Sequence, residues 1–125
     1  MGGLMQFGND IFDIYKDRIS NIQTILTTAK KIEIVRQLFT NQMNKSFALT
    51  EQLSYKAKDK KKYLSLVTMS LCSRCFVCLD QLKMNEKATN FVFMPEKYTR
   101  EQLVCDMDKG NNKLKTIKYF LGQSI

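Results

Sequence analysis

Residues 9 to 94 of this 125-residue chain contain neither glycine nor proline. A run of that length without the two strong breakers has few places to turn, and helix is the structure that satisfies its backbone hydrogen bonds locally. The only proline is Pro95, and the glycines are confined to Gly2, Gly3, Gly8, Gly110 and Gly122. The chain therefore reads as all-α and, at 14.6 kDa, as one domain over residues 1–125.

Apolar spacing divides the run. Asn9 or Asp10 can cap a helix in which Ile11, Ile14, Tyr15, Ile19, Ile22, Ile25, Leu26, Ala29 and Ile32 fall within a stripe about 140° wide. Asp10, Asp13 and Asp17 lie near the positive end of its dipole, and beyond Lys31 the stripe rotates onto Val35, Leu38 and Phe39. One helix from 10 to 84 would be about 110 Å long, wider than the whole domain, so a turn is required. Residues 40–46, the densest cluster of turn formers, are expected to hold it.

A second long helix is predicted over 47–84. Leu64, Val67, Leu71, Cys75, Cys78, Leu79 and Leu82 share a stripe, onto which Leu53, Ala57, Lys60 and Lys61 also project. A core does not accept two unpaired lysines, so near residues 58–62 the helix must break or run past its neighbours into solvent. Met69 and Phe76 make a second apolar strip, which places the helix at the centre of a bundle or at a homodimer interface. Residues 1–8 are expected to be a flexible N-terminus and 85–98 a connector with Phe91-Val92-Phe93-Met94 docked in extended form. Thr99-Arg100-Glu101-Gln102 reads as a capping box opening a helix through Leu103, Val104 and Met107, which Gly110-Asn111-Asn112 would end. A last helix carries Leu114, Ile117, Phe120 and Leu121. The expected fold is a small bundle of four to five helices with a long central helix, as a monomer or a homodimer.

The chain has no histidine, which removes Ser-His-Asp and Cys-His nucleophile systems, HExxH zinc sites and histidine acid–base work. Nor does it contain a Walker A loop, a dinucleotide fingerprint or a Gly-x-Ser-x-Gly elbow. The expectation is a protein that is not an enzyme and needs no cofactor. Cys72, Cys75, Cys78 and Cys105 are four in number, as a structural zinc site requires, but residues 72 and 78 on one regular helix stand about 9 Å apart along its axis. They read as small buried apolar residues, with metal ligation as the weaker alternative.

Charge is the remaining signal. Twenty Lys and Arg against twelve Asp and Glu leave a formal +8, a balance that suits polyanions. Sixteen of the cations are lysines, and with abundant Ile and Asn that pattern also follows from AT-rich coding, so position carries more than the total. Lys56, Lys58, Lys60, Lys61 and Lys62 form one cluster; Lys113, Lys115 and Lys118 lie in a tail without acids. Tyr55 and Tyr63 bracket the first cluster, as a surface that combines stacking with phosphate contacts would require.

In size, charge and helical content the chain resembles the small basic helical proteins of viruses and mobile elements, a likeness that covers no motif. It is expected to bind nucleic acid, RNA in preference, through phosphates with little base readout. The alternative is an adaptor or inhibitor that binds a protein partner through an exposed apolar surface such as Met69/Phe76 or Phe91-Val92-Phe93-Met94. No window approaches a membrane helix and no signal sequence opens the chain, so an intracellular, reducing location in cytoplasm or nucleus and no membrane partner are expected.

Overall fold

The computed structural model describes residues 1–123, and all regular structure within them is helical. The elements run α1 (Gly2–Phe12), α2 (Ile14–Ile19), α3 (Ile25–Thr28), α4 (Ile32–Glu51), α5 (Ala57–Val67), a π-helical turn (Thr68–Cys72), α6 (Ser73–Ala88), a 3-10 turn (Pro95–Lys97), α7 (Arg100–Leu103) and α8 (Gly110–Gln123). From Ala57 to Ala88 the backbone is one continuous 32-residue helix, about 48 Å long.

α6 is central and packs against α1, α4 and α8. Cys75, Phe76, Val77, Cys78, Leu79 and Leu82 are all buried, covering more than half of its circumference, which a helix with neighbours on several sides requires. An aromatic chain crosses the bundle. Phe7 of α1 meets Phe39 of α4 edge-on at 5.4 Å, Phe39 meets Phe76 edge-on at 5.4 Å, and Phe76 stacks on Tyr119 of α8 at 5.3 Å.

Residues 1–8 are not a loose tail. Leu4 is fully buried, and Gly8 lies where a Cβ would stand 2.6 Å from Leu71, so the missing side chain is what lets α1 approach the π-helical turn. The long first helix of the sequence reading is instead three short ones, divided at Asp13 and at a turn where Asn21 adopts a left-handed φ of 55°. Thr24 then starts α3 with a full capping box. Ile19 and Ile22 consequently leave the stripe and are more than half exposed. The three acids assigned to one helix start are likewise separated, Asp10 on α1, Asp13 at the break and Asp17 on α2.

Residues 40–46 do not form the hairpin expected of them. α4 runs straight through, burying Ile32, Val35, Phe39, Met43, Ser46 and Thr50 at successive helical spacings. The stripe decides over the weak turn preference of Thr40, Asn41 and Asn44, and the Thr50 hydroxyl is satisfied within the helix by donating to the Ser46 carbonyl at 2.9 Å. The turn falls later, at residues 52–56, where every side chain including Leu53 is exposed. α5 leaves that turn with only Val67 buried, so its first turns carry Lys58, Lys61 and Lys62 into solvent.

The connector is shorter than expected because α6 continues to Ala88. Asn90 and Phe91 both take left-handed φ, and the Phe91 N–H closes the helix end on the Glu86 carbonyl at 2.9 Å. Phe93 is then docked and buried, its N–H donating to the Lys30 carbonyl at 2.8 Å. The Thr99–Gln102 capping box forms. α7 stops at Leu103, however, and Gly110 opens α8 where it was expected to end a helix. The Asn112 side chain donates to the Asp106 carbonyl and draws the chain into that new start.

The Ala57–Ala88 helix contains an 18-residue window of mean hydropathy 1.3, long and apolar enough to cross a membrane by length and composition, against the expectation that no window would qualify. Half of that window is buried inside the bundle, which is also the pattern of a core helix.

Candidate nucleic-acid interface

The α4–α5 turn brings the first lysine cluster and its two tyrosines to one end of the molecule. Lys56, Lys58, Lys61 and Lys62 are exposed, and Lys60 is half-buried because its ammonium donates to the Glu51 carbonyl at 2.8 Å, covering the C-terminal end of α4. None of the five is in an ion pair: among the described residues the ion pairs are Arg36–Asp80 and Lys83–Glu33. Asp59, the one acid of the cluster, is exposed.

Between the helices lies an open groove of about 500 Å³ lined by Met1, Ser46, Leu49, Thr50, Leu53, Tyr55, Asp59, Lys60 and Tyr63. Its surface is mostly apolar. Leu49, Leu53 and Tyr55 are half or more exposed, and Tyr63 is 41% exposed. At 100° per residue, Asp59, Lys60 and Tyr63 share the groove side of α5, Lys62 lies to one side of it, and Lys58 and Lys61 lie on the opposite side. The sequence reading missed the groove's α4 wall. Leu49, on α4 but off its buried stripe, is the signal that could have found it, with Leu53 joining it from the 52–56 turn.

The second lysine set does not join the first. Lys113 lines a shallow cleft with Met69, Ser70, Arg74, Thr116 and Ile117, while Lys115 and Lys118 border another beside Asp80 and Tyr119. All three lysines are exposed.

Met69 and Phe76 do not make a common surface. Met69 is 37% exposed, whereas Phe76 is 4% exposed between Phe39 and Tyr119. Met69 lies within the π-helical turn (Thr68–Cys72), whose wider winding takes Phe76 out of the register a regular helix would give the pair. Met69 instead shares a cleft with Ile117 of α8, on which Leu114, Ile117 and Leu121 are exposed.

All four cysteines are buried and free. Burial pushes the Cys72 thiol up to about 12 and raises Cys75 further still. The Cys78 thiol donates to the Ile11 carbonyl at 3.9 Å and the Cys105 thiol to Met107 Sδ at 3.6 Å; the neighbouring Cys105 thiol, with burial, raises Cys78, while Cys78 and the nearby Lys115 and Lys109 lower Cys105 against its burial. Among the described residues no group of three Cys, Asp or Glu side chains is arranged to hold a metal ion.

No family model, no curated protein and no solved structure matches this chain.

Proposed function

We propose that this protein binds nucleic acid, RNA in preference, through its phosphates and with little base readout, acting without catalysis as an accessory factor of the kind small basic viral proteins provide. The observation that carries this reading is the state of the lysines at the α4–α5 end. Four of them are exposed, the fifth spends one proton on a helix terminus, and none is neutralised by a carboxylate within ion-pair distance. Unpaired cations gathered at one end of a +8 chain raise the local concentration of a polyanion and gain affinity by releasing its counterions. Lys113, Lys115 and Lys118 would supply a second, weaker set of phosphate contacts from α8. The reading carries with it a bundle of four to five helices with a long central helix and an intracellular, reducing location.

A protein partner is the second reading, favoured by the α8 stripe. Leu114, Ile117 and Leu121, with Met69 beside them, are 37–60% exposed and are spaced to meet another helix. A second copy of the chain seated there would give a homodimer.

The test is fluorescence anisotropy of the full chain against labelled RNA and DNA at two salt concentrations. Affinity that falls steeply with salt and is lost in the Lys60→Glu/Lys61→Glu/Lys62→Glu variant, with an unchanged melting curve, supports the proposal. Weak binding that ignores both salt and the substitutions overturns it and moves the search to α8.

A further inference from the structure

We infer that the α4–α5 groove takes unpaired bases, so that the preferred ligand is single-stranded nucleic acid held by the lysines at the groove's edge. The inference rests on the polyanion reading above and adds what the lysines alone do not specify.

Tyr55 and Tyr63 carry the argument. The other tyrosines have work inside the fold: Tyr98 is buried against Phe93, Tyr119 stacks on Phe76, and Tyr15 is half-buried beneath Arg18. Tyr55, at 70% exposure, and Tyr63 make no hydrogen bond and no ring contact with any described residue, yet both open onto the same groove. Two free rings over an apolar floor of Leu49 and Leu53 offer a stacking and desolvation surface. Its volume of about 500 Å³ lies within the roughly 300–1,000 Å³ usual for small-ligand sites, and its open shape admits a chain entering from the side.

The charge around the groove selects among apolar occupants. Lys60 stands in the wall, Lys62 lies to one side of it on α5 and Lys56 precedes the helix, so an occupant with an apolar plane and an anionic backbone meets both surfaces at once. A strand with unstacked bases has that form. A duplex does not, because its bases are stacked and paired, and only its phosphates could reach the lysines. Asp59 is the unfavourable group in the groove and sets an upper limit on how closely a phosphate can sit there.

The experiment compares labelled oligo(U), oligo(dT) and an RNA duplex of equal phosphate number, using the full chain and its Tyr55→Ala/Tyr63→Ala and Tyr55→Phe/Tyr63→Phe variants. Both single strands are expected to bind at least tenfold more tightly than the duplex. The alanine pair should lose about fivefold or more per ring on single strands, with duplex binding and melting temperature unchanged, and the phenylalanine pair should keep wild-type affinity. Equal, salt-sensitive binding of single strand and duplex with no effect of the tyrosines overturns the inference and leaves the polyanion reading standing. Absence of binding to all three probes removes both.

Discussion

Glu86, in the last turns of α6, reaches across the bundle and accepts the backbone N–H of Ile32 at 2.8 Å, capping α4 from a different helix. Lys31, at the N-cap position of α4, provides no side-chain cap, so a buried carboxylate from 54 residues away does what a local Ser or Asp usually does. Its negative charge also faces the positive end of the α4 dipole.

Glu86→Ala leaves the Ile32 N–H buried without a partner and is expected to cost about 1–3 kcal/mol of stability. Glu86→Gln keeps an acceptor in place and should cost less. Urea denaturation of the two variants orders them; equal losses would mean that the cap is not the source of the effect.

Tyr119 ties α8 to the bundle by donating its hydroxyl to Asp80 at 2.6 Å, beside the Arg36–Asp80 ion pair. Burial, then the hydrogen bond to Asp80, raises the phenol above its ordinary value of 10, with Arg36 acting in the opposite direction. A raised folded-state value means that the contribution is fully present below about pH 10 and is lost as pH rises through the folded value. Native protein should therefore retain one tyrosine that ionises later than in the denatured chain, seen in phenolate absorbance, and Tyr119→Phe should remove that late step. The same substitution should cost about 0.5–1.5 kcal/mol at neutral pH.

The helical class and the core face of the central helix were legible because they depend on local quantities, the absence of breakers and a 3.6-residue period in Val67, Cys75, Cys78, Leu79 and Leu82. The turn was not. Asn and Thr at 40–46 are weak turn formers, and only the burial of Phe39 and Met43 against other helices reveals that α4 continues past them. Glu86 was invisible for a related reason: nothing local distinguishes it from any other acid near a helix end. At the candidate site, the lysine run and both tyrosines could be read directly, since they are adjacent in the chain. The groove could not, because Leu49 and Leu53 become its wall only once the helix turns at 52–56.

Gly8 faces Leu71 across the α1 contact with the π-helical turn. A Cβ at position 8 would stand 2.6 Å from Leu71 Cδ1 and 3.3 Å from Cys75 Sγ. Gly8→Ala gains about 0.5–1 kcal/mol of helix preference, but the end of the half-buried Leu71 side chain must swing aside, so the substitution should realise less of that gain than it does in a Leu71→Ala background, where the main clash is gone. A thermal double-mutant cycle reads that difference, and additivity of the two changes would show that the contact does not constrain α1.

The four thiols should differ in their response to alkylation, because their environments oppose one another. Cys72 is held near 12 and Cys75 higher by burial, so at neutral pH neither presents a thiolate, the form that reacts. Cys78 is fully enclosed and its thiol is raised by the neighbouring Cys105 thiol and by burial. Cys105 alone is lowered, by Cys78 and by Lys115 and Lys109, and it borders an open pocket with Arg74, Arg100 and Lys109. Brief iodoacetamide treatment of the native protein followed by peptide mass spectrometry should label Cys105 first, with Cys72, Cys75 and Cys78 labelled only under denaturant. Early labelling of Cys72 or Cys75 would show that the α1 contact over the π-helical turn opens on the timescale of the reaction.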